Sequence, residues 1–377
     1  MQFTILKENL SRGLNYVEKI TGKNLVLPIL NNVLLSAEKN ILKLITTDLE
    51  VAIIHRCMAK IETEGEITIP VRVLSTFINL LDDQKIDFEL KTKTLFVSGK
   101  NNKTQIKGLD SKDFPIIPKI EENEWIEINS AALCEGVSQV IDFSSITQAR
   151  PELTGVYFLI SGNQIKIVAT DSFRLAEKTI NFTQASDKKP FEKSFIIPRN
   201  ATREIVNLFG GLGGNIKIYF SSNQVMFESR FSEIDSPQSQ LISRLIEGEF
   251  PNYQEIVPKE FKTQVNISQE QLQKSIKAAG IFGGRGNELI LVADSKKGQV
   301  DISAQDSEIG ETSVSVVSKV VGDKTSVCFN HKFLLDGVMK TRGKEIFMGL
   351  NGEGGPGVIK SGNTDDFLYI LMPIKST

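Results

Sequence analysis

The chain has 377 residues, of which 44 are Lys or Arg and 46 are Asp or Glu, so its formal net charge is −2. At about 150 residues per domain this length predicts two to three domains, and 40% apolar residues suffice for a core in each. The composition excludes a disordered, collagen-like or disulfide-stapled chain, and the near-neutral total argues against a uniformly basic nucleic-acid-binding protein.

The first third of the chain predicts two helices separated by strands. Residues 7–20 place Leu10, Leu14 and Val17 on one helical face, and a second helix at 71–81 follows Pro70. Strands are predicted between them at 33–36, 42–46 and 51–58. Apolar stripes predict four more helices, within 130–150, 199–209, 269–279 and 330–344. Six helices with many short strands indicate an α+β architecture with helices on one sheet face, and the pattern leaves the strand pairing open.

Three short phrases recur at domain-sized intervals. The first places an aspartate after a strand, at Asp48, Asp171 and Asp306, which are 123 and 135 residues apart. The second joins a strand to a helix, at 66–72, 194–199 and 326–332, and the third is an opening strand, at 3–6, 125–128 and 263–267. A period of this length is that of a domain and not of a solenoid unit. We therefore predict three similar domains, spanning 1–122, 123–259 and 260–377.

Charge is distributed unevenly between the predicted helices and the rest of the chain. Counted with the first segment taken as 6–23, the six helical segments carry 14 basic and 7 acidic residues, a net +7, which leaves −9 elsewhere. Helix surfaces are often simply charged, and this is one interpretation. The other is a basic face directed at an anion and set in an acidic body.

The cysteines and the apolar runs indicate the compartment. Cys57, Cys134 and Cys328 are far apart and form no CxxC motif, as expected of buried, reduced thiols. No window approaches about 18 apolar residues, and the N-terminus lacks a signal-peptide pattern. We expect a soluble, cytoplasmic protein without a membrane contact.

The sequence contains only weak indications of a catalytic site. Two histidines, His55 and His331, offer little for a triad or a zinc site, and we predict neither a metal nor a cofactor. The glycine pattern at 352–357 contains Pro356 and precedes a strand, so it fails as a dinucleotide motif. The run at 209–214 lacks the GK[ST] of a phosphate-binding loop and is typical of a helix C-terminus.

Asp48 and Glu50 could act as a carboxylate pair in a hydrolase. Because the aspartate recurs at the same point of each repeat, the sequence favours a structural role, an Asx-type turn after a strand.

A set of motifs in a fixed order resembles one family. They are 27–33 (LPILNNV), 47–50 (TDLE), 113–115 (DFP), 169–175 (ATDSFRL), 248–253 (GEFPNY) and 369–374 (YILMPI). Over essentially its whole length the chain resembles the β subunits of bacterial DNA polymerase III, the sliding clamps.

The resemblance implies a DNA-clamp fold: three similar domains, each with two helices packed on antiparallel sheets, closed into a ring as a head-to-tail homodimer. Duplex DNA would pass through the ring without sequence preference, and no catalysis is expected. The implied partners are the DNA polymerase III alpha subunit, the clamp loader, and other DNA polymerases and repair proteins. The +7 on the helices fits a DNA-facing surface, since phosphate contacts are independent of sequence.

Helix position and matching turns select the DNA-contacting candidates. They are Lys7, Arg12, Lys19, Lys23, Arg72, Arg150, Arg199, Arg203, Lys274, Lys277, Lys332 and Lys340.

The resemblance also implies a hydrophobic pocket that captures a short apolar motif of partner proteins. Its members would be Leu153, Thr170, Ser172, Phe173, Arg174, Leu175, Pro251, Ile256, Asn330, Phe333, Pro356, Ile370, Leu371, Met372, Pro373 and Ile374. Core packing is an equal alternative for Ile370 and Leu371. Glu255 stands where several relatives carry a basic residue, and this difference could alter the recognition of acidic flanks. At the ring joint the resemblance points to Phe114 meeting Ile281 and Phe282 of a second chain, with a core position as the alternative.

Two other functions remain open at this point. A tandem module that binds peptides or carbohydrates would neither dimerise nor need its helix lysines. A hydrolase would depend on Asp48 and Glu50, although no acid–base set converges on them in the sequence.

Overall fold

The computed structural model describes residues 1–22, 26–118, 120, 124–182, 192–362 and 364–375. Three times in succession the chain forms a strand, a helix, several strands, a second helix and three strands. The first repeat contains β1 (Gln2–Leu6), α1 (Lys7–Val17), β2 (Asn32–Glu38), β3 (Ile41–Thr47), β4 (Val51–Met58), β5 (Lys60–Thr63), β6 (Gly65–Pro70), α2 (Val71–Leu80), β7 (Lys85–Lys91), β8 (Thr94–Ser98) and β9 (Lys103–Lys107).

The second repeat contains β10 (Trp125–Asn129), α3 (Ser130–Val140), β11 (Gly155–Ser161), β12 (Gln164–Thr170), β13 (Arg174–Asn181), β14 (Glu192–Pro198), α4 (Arg199–Phe209), β15 (Asn215–Phe220), β16 (Gln224–Arg230) and β17 (Pro237–Arg244). The third contains β18 (Thr263–Ser268), α5 (Gln269–Gly280), β19 (Glu288–Asp294), β20 (Gln299–Asp306), β21 (Gly310–Val317), β22 (Lys319–Gly322), β23 (Thr325–Asn330), α6 (His331–Lys340), β24 (Glu345–Leu350), β25 (Gly357–Ser361) and β26 (Phe367–Leu371).

Each of the six predicted helical segments contains an α-helix of the described chain, so the α+β prediction is confirmed. Three helices end at least three residues before their segments do, and α6 does so at Lys340. The stretch 7–20 is helical to Val17 and then forms a 3-10 turn, Glu18–Ile20. The stretch 130–150 is α-helical only to Val140, and Arg150 has a non-helical backbone (φ −132°, ψ 86°), as favoured for a residue before proline.

The helices follow an amphipathic pattern against the sheets. In α1 the buried side is Leu10, Gly13, Leu14 and Val17. A Cβ on Gly13 would lie 2.6 Å from Cδ1 of Leu44, so β3 packs against the helix backbone at this point. The sequence therefore places its smallest residue where helix and sheet approach most closely.

Two helices of the third repeat begin at side-chain caps. The hydroxyl of Ser268 accepts from the amide of Gln271 at α5, and the side-chain oxygen of Asn330 accepts from the amides of Lys332 and Phe333 at α6. Such caps satisfy the unpaired amides of a first helical turn and fix where the helix starts.

The described chain forms two compact units. The first includes Met1–Glu135 and Asn200–Leu245 and contains a five-stranded sheet, β5-β1-β7-β8-β9, and an eight-stranded sheet, β10-β15-β16-β17-β4-β3-β2-β6. The second includes Gly136–Asn181, β14 and Ile246–Thr377 and contains a nine-stranded sheet, β14-β11-β12-β13-β26-β25-β24-β18-β22, and a four-stranded sheet, β21-β20-β19-β23. Each unit contains two whole sheets, and the second repeat is divided between the two units. The units therefore do not test the predicted domain boundaries after residues 122 and 259.

Two strand pairs connect the repeats, and we call them the first joint (β4 with β17) and the second joint (β13 with β26). Their antiparallel registers are equivalent: Ala52 lies opposite Ile242 in the first, and Leu175 lies opposite Ile370 in the second. The aspartate phrases align these strands at a spacing of 123 residues, so Ala52 corresponds to Leu175. Positions in the two joints can therefore be compared one by one.

The chain leaves the last strand of each repeat in a similar way. The backbone of Leu109 forms two hydrogen bonds with Thr68, at 3.0 and 3.2 Å, and the amide of Ile246 donates to Ile196 over 2.9 Å. In the third repeat the amide of Ile374 donates to the carbonyl of Cys328 over 2.8 Å. Each departing segment is thus anchored to the strand that precedes the second helix of its own repeat.

Candidate functional sites

The recurring aspartates close turns and do not form an acid–base site. Oδ1 of Asp48 accepts from the amides of Glu50 and Val51, at 3.0 and 2.7 Å. Oδ1 of Asp171 accepts from residues 173 and 174, both at 3.0 Å, and Oδ1 of Asp306 from residues 308 and 309, at 2.8 and 3.0 Å. The predicted structural role is confirmed.

The next residue in two of these turns has a left-handed backbone. Leu49 has φ 79° and Ser172 has φ 77°, a conformation that side chains with a Cβ adopt at a cost. The carboxylate offsets this cost by satisfying two amides that would otherwise lack partners.

The other weak catalytic motifs also have structural roles. His55 is 4% exposed, and its Nδ1 lies 2.8 Å from Oγ of Ser239. Burial lowers the pKa of His55 to about 4, and Arg12 and Arg56 act in the same direction. The glycine run after Phe209 follows the end of α4, and the pattern at 352–357 leads into β25. Among the described residues, no group of His, Cys, Asp and Glu has the arrangement of a metal site.

Most of the predicted DNA-contacting residues are exposed. Arg12, Lys19, Arg72, Arg150, Arg203, Lys274, Lys277 and Lys332 present their side chains to solvent. In α5 the buried side is Leu272, Ser275, Ile276 and Ala279, which leaves Lys274 and Lys277 on the outer side. Three of the exposed side chains form pairs with nearby acids: Arg12 with Glu8, Arg150 with Glu152 and Lys274 with Glu270. Such exposed pairs are weak and leave the cation accessible to phosphate.

Three predicted contacts are engaged within the protein. Nζ of Lys7 donates to the carbonyls of Asn79 and Leu81, which fastens α1 to the end of α2. Nζ of Lys340 donates to the carbonyl of Ser138 over 2.7 Å and to Asp142 over 2.8 Å. Asp142 also lies 3.8 Å from Arg199. Internal pairing reduces what Lys7, Lys340 and Arg199 can offer an external anion, and Lys23 lies outside the described residues.

At the second joint, Arg174 is held by two carboxylates and two rings. Its guanidinium pairs with Asp171 at 3.0 Å and with Asp336. It lies 4.2 Å from the ring centroid of Phe333 and 5.1 Å from that of Phe143. A guanidinium stacked and paired in this way has a fixed orientation.

Two exposed apolar side chains flank this arginine in the second joint: Phe173 precedes it, and Met372 follows Leu371, its partner in the strand register. Phe173 is 63% exposed, Ile256 48% and Met372 43%, and the amide of Met372 donates to the carbonyl of Phe173 over 2.9 Å. Single exposed apolar residues are ordinary, but a group beside a fixed polar side chain is typical of a peptide-binding groove.

Five of the predicted pocket residues are buried: Leu153, Thr170, Leu175, Ile370 and Leu371. The pairing of β13 with β26 places Leu175 against Ile370, so these side chains form the floor of the surface. The hydroxyl of Thr170 donates to the carbonyl of Arg174 and closes the turn below Phe173. The predicted members Ser172, Phe173, Ile256 and Met372 are exposed, and Arg174, Pro251, Asn330, Phe333, Pro356, Pro373 and Ile374 are partly exposed.

Sequence reasoning missed the residues that orient Arg174. Asp336 follows Phe333 by three positions on α6, so both lie on one helical face, and Phe143 belongs to the 3-10 turn Ile141–Phe143. The ring of Tyr369 packs where a Cβ on Gly337 would be, 2.3 Å away, and its hydroxyl donates to the carbonyl of Phe333. A glycine within an amphipathic helix was the available signal for this close approach.

The predicted ring-joint residues differ in exposure. Ile281 is 66% exposed and Phe282 partly exposed, whereas Phe114 is 7% exposed and lies in the core. Phe114 follows the 3-10 turn Ser111–Asp113, and its burial fits the core position that the sequence left open as the alternative.

Two of the edge strands of the described sheets occupy equivalent places at the two ends of the chain's repeat order. The five-stranded sheet ends at β9, the last strand of the first repeat, and the four-stranded sheet ends at β21, the strand after the third aspartate turn. β9 carries Lys103 and Lys107, while Glu311 lies at the start of β21 and Glu308 in the turn before it. None of the α-helices in the described ranges is both long and apolar enough to cross a membrane.

Three family models match the chain in succession. They describe the N-terminal, central and C-terminal domains of the DNA polymerase III beta subunit and match residues 1–118, 127–252 and 254–375. The beta sliding clamp of Synechocystis sp. is 26% identical over 397 residues, covering 100% of this chain and 99% of that protein. That of Staphylococcus epidermidis is 26% identical over 387 residues, with 100% of both covered. The crystal structure of the DNA polymerase sliding clamp from Bacillus subtilis shares the fold, with a TM-score of 0.93 at 23% identity and 100% of both chains covered.

Proposed function

The chain belongs to the family of DNA polymerase III beta subunits, and on this premise we propose that two copies form a ring that slides on duplex DNA and holds polymerases there. Members of this family are non-catalytic processivity factors. The proposed role of this protein therefore depends on encircling DNA and on binding partners, and not on a chemical reaction.

The pairing of strands between repeats is the observation that carries the ring. In each joint, the last strand of one repeat pairs with the strand that follows the aspartate turn of the preceding repeat. The same rule, applied once more, pairs β9 with β21. Both are edges in the described chain, so two chains arranged head to tail would make this pair twice and close six repeats into a ring.

Charge and apolar surface support this third kind of joint. Lys103 and Lys107 on β9 complement Glu308 and Glu311 at β21, which would favour the pairing of unlike edges over like edges. A Cβ on Gly310 would lie 3.9 Å from the ring of Phe282, so Phe282 and the exposed Ile281 border the same edge.

The exposed basic residues of the helices supply the DNA-facing charge. Their contacts would be with phosphates, so affinity should fall with salt and show no sequence preference. Arg72, Arg203 and Lys277 are exposed on three different helices. Replacing all three by Gln should weaken loading on DNA, whereas Lys43→Gln on β3 is the matched control for loss of a surface charge.

We assign peptide capture to the groove around Arg174, Phe173, Ile256 and Met372. An extended apolar segment would cover the exposed side chains, and the fixed guanidinium would orient its polar groups. The expected partners are the DNA polymerase III alpha subunit, the clamp loader, and other DNA polymerases and repair proteins.

Retention on DNA of different shapes tests the ring. After loading by a clamp loader, the protein should remain on closed circular DNA and leave linear DNA through its ends. Equal retention on both would overturn the topological mechanism. Light scattering provides the second measurement: Glu311→Lys should shift the dimer toward monomer, and the added Lys107→Glu should restore it.

A further inference from the structure

The covered faces of the two joints are filled differently. After the last strand, a connecting segment crosses each joint: residues 109–118 and 120 form the first connector, and residues 246–258 the second. Phe114-Pro115 begins the crossing in the first, and Phe250-Pro251 in the second. The two crossings can therefore be aligned residue by residue.

The second connector fills its joint with aromatic rings. Phe250 stacks on Tyr157 of β11, with ring centroids 4.6 Å apart and planes 5° apart, and Tyr253 meets Phe250 edge-on at 6.2 Å. Tyr253 is 5% exposed, and its hydroxyl donates to Glu177 of β13 over 2.5 Å. Ring stacking and a satisfied hydroxyl close this face.

The first joint has aliphatic residues at the same positions. Leu34 corresponds to Tyr157 and Ala52 to Leu175, both by the spacing of 123 residues, and Ile117 corresponds to Tyr253 by the alignment of the Phe-Pro pairs. Phe114 keeps its ring, but the ring that stacks on its counterpart is absent. A cavity of about 620 Å³ lies here, and Leu34, Ile45, Ile54, Phe114, Ile117 and Ile242 are among its walls.

A partly buried cation borders this cavity. Arg56 of β4 lies among its lining residues. Its Nη2 donates to Oε1 of Gln240 over 2.8 Å, and its Nη1 is buried without a hydrogen-bond partner in the described chain. The nearby carboxylate of Glu228 already accepts from Arg230 at 3.1 Å and from Gln240 at 2.8 Å. A partly buried guanidinium with few internal partners favours a nearby anion.

We propose that this cavity is a second binding site, for a small aromatic carboxylic acid whose ring packs beside Phe114 and whose carboxylate pairs with Arg56. Its size lies within the range of ligand pockets, about 300–1,000 Å³. The aromatic group follows from the ring positions that the second joint fills and the first leaves vacant. The anionic group follows from the positive charge of Arg56, which belongs to the wall of the cavity. The site lies within one chain and does not depend on ring formation or on peptide capture.

Calorimetric titration of the full-length protein with 2-naphthoate tests the site, and neutral 2-naphthamide is the matched probe. We expect one site per chain with a dissociation constant in the micromolar range. Arg56→Gln should weaken the binding of 2-naphthoate by about tenfold and that of 2-naphthamide by less than about twofold. Lys43→Gln, on the neighbouring strand β3, should leave both unchanged.

Two filling variants make the test independent of Arg56. Leu34→Tyr and Ile117→Tyr each introduce a ring that the second joint has at the equivalent position. Each should weaken the binding of both probes by at least about tenfold. Titration of either folded variant is sufficient. No heat of binding at about 1 mM probe, or unchanged affinity in a folded filling variant, would overturn the proposal. A crystal soaked with 2-naphthoate should show the carboxylate beside Arg56, and density elsewhere would also refute it.

Discussion

The two joints share a strand register but not a filling. At the second joint Tyr157, Phe250 and Tyr253 form a packed aromatic layer, whereas aliphatic side chains at the first joint leave a cavity. Backbone pairing depends on hydrogen bonds that any residue except proline can make, so it tolerates this divergence. Side-chain filling sets the local stability, and the two joints should therefore respond differently to equivalent substitutions.

The largest difference is expected from truncating the connector residue that covers each joint. Tyr253→Ala should lower the free energy of unfolding by about 4 kcal/mol, because it removes a buried ring and a donor to Glu177. Ile117→Ala should cost about 1 kcal/mol, because Ile117 is only partly buried and borders open space. Urea unfolding followed by circular dichroism gives both values.

The variant Tyr253→Phe separates the ring from the hydroxyl. It keeps the ring stacking and should lower the free energy of unfolding by about 1–2 kcal/mol, because a buried carboxylate loses one hydrogen-bond donor. Equal losses for Tyr253→Ala and Ile117→Ala would contradict the view that the two faces differ in packing.

Acid should weaken the first joint more than the second. His55 lies opposite Ser239 in the first joint, with Tyr16 and Arg12 of α1 and Arg56 of β4 near its ring. Because burial lowers the pKa of His55 to about 4, the unfolded chain binds more protons between that value and its ordinary value near 6.5. The contribution of His55 to the free energy of unfolding is thus fully present above pH 6.5. It decreases by about 3 kcal/mol as the pH falls to 4.

The equivalent position of the second joint is Lys178, which pairs with Asp366. Burial opposes the ionised form of Asp366, but hydrogen bonds from Lys178 and Thr364 outweigh it and lower the pKa of the carboxyl below its ordinary value. This pair persists to a lower pH. In urea unfolding at pH 7 and pH 4.5, His55→Gln should lose less stability on acidification than the unmodified chain, and an identical loss would refute the assignment to His55.

The repeats and helices could be predicted because they depend on local spacing. The aspartate turns at 48, 171 and 306 are an example, since each carboxylate binds amides two and three residues away. The joints could not be predicted, because the sequence does not say that β17 pairs with β4. The burial of Phe114 and the two carboxylates around Arg174 depend on contacts over long sequence separation, which periodicity does not report.

A smaller effect is expected at the groove beside the second joint. Arg174→Lys keeps the charge but loses the planar group that stacks on Phe333 and pairs with two carboxylates. A fluorescence-labelled apolar peptide from the DNA polymerase III alpha subunit should bind about tenfold more weakly, which corresponds to about 1.4 kcal/mol. The dimer should persist in light scattering. Undiminished affinity would remove Arg174 from the peptide site.

The smallest change is expected from giving the first joint a ring of the second. Leu34→Tyr places a phenol where the cavity of about 620 Å³ already has room, so the free energy of unfolding should change by less than about 1 kcal/mol. The reciprocal Tyr157→Leu breaks a stack and opens a void, and it should cost about 2 kcal/mol. If Leu34→Tyr were the more costly of the two, the walls of the cavity would be unable to accept a ring. The difference between the joints would then lie in the backbone and not in side-chain filling.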